Sequence, residues 1–468
     1  MKQTLLLVMA LAAGCSFNPG KSNDDLGGTV GDDMGGGDDM TPDAPDMVMV
    51  CTPGAKTCAG TTLSTCNLDG TGVDTTTCVL GCNTAGNDCQ ALQPTAPAVA
   101  GDFVYGGLSE PTIAAAQTLL VFDTDTGEIR DGSGAVVRMP NATPMSRNVE
   151  NGIGFHRISG VGIWTFSKLT VPATTTVVFK SAYAASILSA SDLTIAGTID
   201  LRGYADPTKA LMGATSTLCQ GTVAGPGGTI GGTPALVAMG TGAGGHPAAD
   251  LAAGGGGGGY GDTGGAGGKD GATNGGDAGA TAGMPTINPL AAGFGGGASG
   301  NANGSGDGGG GGGALQLAAE GTITISGKIN AGGCGGNPGT AAAEGGGGGG
   351  SGGAILVEAP TVHVTSAGIL AANGGGGGGG GSTMATKGDP GDASSSQANG
   401  GSGTGGGHNA GSGGALGTTG GQAGSNGSGA GGGGGGVGRV RLNSRTGATL
   451  DMNPVISPPP TQGTVTIQ

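Results

Sequence analysis

Residues 308–333 read GGGGGGALQLAAEGTITISGKINAGG, and residues 345–375 read GGGGGGSGGAILVEAPTVHVTSAGILAANGG. Each stretch opens on a glycine run and continues into short alternating segments. In the first, Leu315 and Leu317, Ile323 and Ile325, then Ile329 and Ala331 share one face. In the second, Ile355 and Val357, Val362 and Val364, then Leu370 and Ala372 do the same. Period-two alternation over a few residues marks a half-buried strand. A third copy, DLTIAGTIDLRG at 192–203, matches ITISGKINAGG, and a partial fourth, GGGGGGVGRVRLNS, occupies 431–444. Self-similar stretches of this size are units that bury a continuous core only by stacking. The expected fold class is therefore all-β, a parallel β-helix or solenoid-like stack with glycine-rich excursions.

Composition sets the limits of that stack. The chain has 468 residues, of which 116 are glycine, with no strict third-position period, so it is not collagen. Aromatic residues make up 3% and charged residues 10%, which leaves material for only a thin core. A formal net charge of −15 argues against a nucleic-acid partner, which requires a basic footprint. The glycine runs have two readings. They are polyglycine II helices, extended and three residues per turn, or they are disordered loops. Runs joined directly to a strand, at Gly308, Gly345 and Gly431, are expected to be ordered. Gly391 to Ala430, where glycine mixes with Ser, Thr and Asn, is expected to be disordered.

The N-terminus carries an address. Lys2, the apolar run Leu5 to Ala13 and LAAGC ending at Cys15 resemble a bacterial lipoprotein signal, with Ala12 departing from the leucine usual at that place. The resemblance implies removal of residues 1–14, lipidation of Cys15 and, with Ser16 following, an outer-membrane or cell-surface location. Residues 15–50, rich in Gly, Asp, Met and Pro, are expected to be an acidic disordered tether. Removing Cys15 from nine cysteines leaves eight (9 − 1), an even set suited to an oxidising compartment. Six of them, Cys51, Cys58, Cys66, Cys78, Cys82 and Cys89, make residues 51–89 a disulfide module whose pairing the sequence leaves open. A zinc site is disfavoured there by the lack of a Cys-x-x-Cys pair and of histidine. The module resembles short cysteine-rich segments of myxobacterial surface proteins, which implies a spacer or contact role.

A linker, 90–100, leads to an N-terminal β region and cap of the stack, 101–203. There LLVFDTDTGEIRD reads as strand, turn, strand, and Trp164 and Phe166 share a face expected to plug the N-terminal end. The glycine-rich β-repeat region spans 204–444. Residues 445–468 form a proline-rich tail with a last alternation at Val465 and Ile467. Cys219 and Cys334 each follow a homologous strand end, and stacking predicts that they pair.

No site chemistry stands out. Matches to G-x-G-x-x-G are chance events at this glycine content, and GGAGGKDG near Lys269 lacks the spacing and hydroxyl of a phosphate loop. Asp123, Asp125 and Glu128 sit in what a hairpin turn explains better than a calcium loop. The four histidines lack metal spacing, and His363 is expected on the outward, solvated face of its strand. Asp200, Lys328, Glu358 and Arg439 occur singly on separate repeats. No cofactor, metal or catalytic activity is expected.

From Trp164 onward the chain resembles glycine-rich lipoproteins of myxobacteria and related bacteria. The match rests on IWTFSKLTVPATTTVVFK (163–180), DLTIAGTIDLRG, the GGGGGGSGGAILVEA unit and the closing GGGGGGVGRVRLNS. Similarity to mycobacterial PE-PGRS proteins is compositional only. The resemblance implies location and architecture: a surface-anchored structural or adhesive lipoprotein. Its partners would be the membrane, through the lipid anchor, and surface glycans or other cell-surface proteins. The alternative is a carbohydrate-binding or carbohydrate-acting β-helix protein. A row of aromatics or carboxylates on one face of the stack would favour that alternative; a face lined by alanine and threonine would favour the first.

Overall fold

The computed structural model describes residues 49–114, 116–210, 217–247, 252–300, 306–381 and 384–468. Cys15, the signal-like segment and nearly all of the acidic tether lie outside the described residues. Val50 to Gln468 form one compact unit. The fold is all-β; among the described residues the only helical pieces are short 3-10 turns at Ala100–Asp102 and Pro207–Lys209.

Three sheets carry the repeats. The chain enters a first sheet (Val161–Phe166), crosses to a second (Leu169–Val171), then to a third (Thr176–Lys180), and starts again at Ala184–Ser189. The second round continues through Leu193–Ile195 and Thr198–Asp200. Later rounds run through Ala314–Ala319, Thr322–Ile325 and Lys328–Asn330, then Ala354–Glu358, Thr361–Val364 and Ile369–Ala371. The last comprises Arg439–Ser444, Thr449–Leu450 and Val455–Ser457, and Thr461–Thr464 covers it. Strands of successive rounds pair in parallel, and the register matches the sequence repeats residue for residue. Leu193 lies over Ile323 and Ile323 over Val362; Ile199 lies over Ile329 and Ile329 over Leu370.

The period-two phase explains what fills the middle. Leu315, Leu317, Ile323, Ile325 and Ile329 meet Ile355, Val357, Val362, Val364 and Leu370 in one interior cluster. Val440 and Leu442 extend it at one end. At the N-terminal end the sheets turn antiparallel: Ile153–Ile158 pairs back on Val161–Phe166, and Ile129–Asp131 on Leu119–Asp123. Trp164 closes this end, with ring centroids 5.0 Å from Phe155 and 5.2 Å from Phe122. Beside it the buried guanidinium of Arg138 donates to the carbonyls of Gly127, Met139 and Ile153 and to Asn141 Oδ1. The cation, with Glu150 near enough to act on it, is thus held directly by backbone dipoles and an amide oxygen. The Asp123–Glu128 stretch is the turn of the hairpin.

Every glycine-rich excursion leaves from the same corner, between the third sheet and the first. One follows Thr198–Asp200, one follows Lys328–Asn330 and one follows Ile369–Ala371. They return at Ala314, Ala354 and Arg439, strands that are neighbours in the first sheet. The runs leading into those strands therefore lie side by side at the rung spacing of a sheet, ~4.8 Å. At that spacing a Cβ has no place. One built on Gly350 would meet the Gly310 carbonyl, and one on Gly435 would meet that of Gly350.

The run 345–353 is the centre of this packing. Its N–H groups donate in rotation to three neighbours: Gly346 and Gly349 to Ala430 and Gly433, Gly347 and Gly350 to Asn337 and Cys334, Gly348 and Ser351 to Gly297 and Phe294. Its carbonyls accept from three others, Gly255 and Gly258, Gly309 and Gly312, and Gly375 and Gly378. Contacts recur every third residue, so each turn touches six neighbouring segments. Ordering one residue costs roughly 1–2 kcal/mol and glycine more than most. A backbone hydrogen bond returns about 0.5–1.5 kcal/mol net, so the close contact of packed backbones has to supply the rest.

The segment Gly391 to Ala430, expected to be disordered, is an ordered part of this layer. Gly401 N–H donates to Gly377, Gly411 N–H to Gly432 and Gln422 N–H to Ser412. Its polar residues point outward at intervals of three: Ser396, Asn399 and Ser402 are exposed while Ala398 and Gly401 are buried. Local order in threes exists, but its phase restarts in every run, and a whole-chain period is absent for that reason.

Candidate functional site

The disulfide module closes as Cys51–Cys66, Cys58–Cys82 and Cys78–Cys89. The sulfurs of Cys58, Cys78 and Cys82 crowd together as a metal trio would, with Cys58 and Cys78 3.6 Å apart. Each is consumed by a disulfide, so no thiolate is offered to an ion. A fourth bond joins Cys219 to Cys334 across 115 residues of sequence, with Cα atoms 5.2 Å apart. Lys387 Nζ donates to the Cys219 carbonyl beside it.

The buried carboxylates are engaged. Asp102 pairs with Arg147 and accepts from Val99 N–H at 2.9 Å, and His156 Nε2 stands 3.6 Å from it. The other ring nitrogen of His156 is 2.9 Å from the Tyr105 hydroxyl, and burial holds its pKa below the ordinary value against the pull of Asp102. This cluster fastens residues 99–105 to the first sheet. Burial pushes the Asp200 carboxyl up, but Arg202 and the Tyr204 hydroxyl, 2.6 Å away, more than offset it and leave it below the usual carboxylate range. Arg202 also reaches Asp392 at 2.7 Å, which clips the glycine layer to the third sheet.

Glu358, read from sequence as solitary, is the hub of a buried polar ladder. Its oxygens accept from Thr95 N–H at 2.9 Å, Thr95 Oγ1 at 2.7 Å, Gln316 Nε2 at 2.8 Å and Asn443 Nδ2 at 2.9 Å. Ser186 donates in turn to Gln316 Oε1 at 2.8 Å. These residues lie on successive rungs of the first sheet and hold the linker down on its outer face. No local sequence signal marks the ladder, because Thr95 and Glu358 are 263 positions apart.

His363 faces outward as expected, but it is not merely solvated: its Nε2 lies 2.8 Å from Asp451 Oδ1. It belongs to a column on the second sheet, Thr170, Thr194, Thr324, His363 and Thr449, each paired with the next across the rungs. Lys328 is exposed, and Arg439 donates from Nε to the Gly283 carbonyl at 2.7 Å. Asp200, Lys328, Glu358 and Arg439 are therefore not gathered into one site.

A cavity of about 620 Å³ lies between the disulfide module and the end of the first sheet. Glu320 lines it, and burial pushes its carboxyl up to about 7, with a backbone hydrogen bond from Leu92 acting the other way. No helix among the described residues is long and apolar enough to cross a membrane. No family model matches the chain, and no curated protein or solved structure matches it.

Proposed function

We propose that this protein is a surface-anchored structural or adhesive lipoprotein without catalytic activity. Its body is read as a parallel β-solenoid with a bundle of polyglycine II helices fused along one corner. The observation that carries this reading is the glycine layer. The central run meets backbone on all sides, and its one side chain, Ser351, is buried and bonded to the Phe294 backbone, a construction that makes a stiff slab and offers no free inward group for chemistry. Three residues per turn without internal hydrogen bonds is the signature of that helix family. The open face of the second sheet supports the same reading over the carbohydrate alternative. Its column is threonine hydroxyls with one histidine, not a row of aromatics or carboxylates. The tested variant is Cys15→Ala. It should move the protein from the membrane fraction to the soluble fraction or leave it unprocessed; unchanged pelleting with membranes would sink the anchored reading. A glycan and cell-surface binding screen with the same protein then separates an adhesive role from a purely structural one.

A further inference from the structure

We propose that the cavity between the disulfide module and the first sheet binds a small organic ammonium compound, with the Glu320 carboxylate as its counter-charge. The proposal is independent of the anchored reading above. A volume of about 620 Å³ lies within the range of small-molecule pockets, ~300–1,000 Å³. The walls come from separate parts of the chain: Leu63 and Thr65 from the module, Gly101 and Val104 from the segment after the linker, Ala190 and Glu320 from the ends of two adjacent strands.

Charge decides the ligand class. Lys56 and Asp88 also line the cavity, but they pair with each other at 3.2 Å and are about half exposed, which places them at its rim. Glu320 has no ion-pair partner among the described residues, so the lining carries one uncompensated negative charge when it ionises. A half-buried carboxylate without a cation is costly to keep charged, which is why its titration lies near neutrality. A cation entering the cavity supplies the missing partner, whereas an anion would meet like charge. Leu63, Val79 and Val104 provide apolar contact, and Thr65, Thr76 and Thr77 bring hydroxyl-bearing side chains to the lining. An ammonium head on a short carbon body matches both.

The test is a titration of the purified full-length protein with n-butylammonium, n-butanol and butyrate at pH 6 and pH 8, read by ligand-observed NMR. Alkylammonium stays protonated over this range, as lysine does. Glu320, which titrates near 7, is the lining group that the two pH values are chosen to switch. n-Butylammonium should bind about fivefold more tightly at pH 8 than at pH 6, the effect of roughly one pKa unit of coupling on a group that titrates near 7. n-Butanol should bind equally at both, and butyrate more weakly than either. Glu320→Gln should erase the pH dependence and leave n-butylammonium no better than n-butanol. Ala190→Phe, which puts a ring into the cavity, should weaken binding of both. n-Butylammonium binding no better than n-butanol at pH 8 overturns the proposal, as does a pH dependence that survives Glu320→Gln. Binding unchanged by Ala190→Phe would place the ligand elsewhere and reject the site.

Discussion

Ile187, Leu317, Val357 and Leu442 lie over one another on successive rungs of the first sheet, and their side chains fill the space between the sheets. A few residues away along the same rungs, Gly310, Gly350 and Gly435 lie against one another, and there is no space to fill. One ladder spacing serves both regions. In the stack the sheets are held apart and large apolar residues close the gap. At the corner the backbones themselves close it, and the smallest side chain is already too large. The two regions should therefore respond in opposite ways to substitution: the stack punishes loss of bulk or gain of charge, the glycine layer punishes any gain at all.

The sharpest break in the stack is a charge on its inner face. Ile325→Asp or Val364→Asp, both fully buried, should cost about 4–5 kcal/mol or prevent folding outright. Thr324→Asp, on the open face between them, should stay within about 1 kcal/mol in urea denaturation. His363→Asp should cost more than Thr324→Asp because it sets a second acid against Asp451. Equal losses at inner and outer positions would show that the strand phase is wrong. The seam between the regions is tested by Cys219→Ser with Cys334→Ser. Opening a loop of this length should lower stability by roughly 2–5 kcal/mol, and peptide mapping of the unreduced wild type should recover the linked pair. A double variant as stable as wild type, or a free thiol at either position, would remove the bond from the account. The smallest effect separates packed glycine from glycine that is merely abundant. Gly348→Ala drives a Cβ onto the Gly256 carbonyl and should cost about 1–3 kcal/mol, whereas Gly417→Ala, with nothing within 4 Å, should change stability by no more than about 0.5 kcal/mol. Indifference to alanine at Gly348 would mean that the layer is looser than its hydrogen bonds imply.

The difference between the regions also explains what the sequence disclosed. Strand phase was legible because a half-buried strand writes its orientation into alternate residues, and the repeats aligned themselves: Ile323 with Val362, Ile329 with Leu370. Cys219 and Cys334 could be matched because each follows a strand end of the same kind. The order of Gly391 to Ala430 was hidden, since glycine mixed with Ser and Asn has the composition of a flexible linker. The signal was present in the exposed triplet positions of Ser396, Asn399 and Ser402, and in Thr386, Asp389 and Asp392 around buried Gly388 and Gly391. It is short-ranged and changes phase at every turn, so a count over the whole chain averages it away. The Glu358 ladder and the Glu320 cavity left no trace of either kind. Both arise where the linker and the module fold back over strands that lie hundreds of residues downstream.

That fold-back has a mechanical consequence. Leu92–Gln93 pairs antiparallel with Thr466–Ile467, and Ala91 and Gln468 exchange backbone hydrogen bonds at 2.9 and 3.0 Å. A pull applied at Met49 first meets three disulfides. It then meets this two-stranded clasp and the Thr95–Glu358 grip on the first sheet. The load passes into the body where residues 91–93 are tied to the last strand.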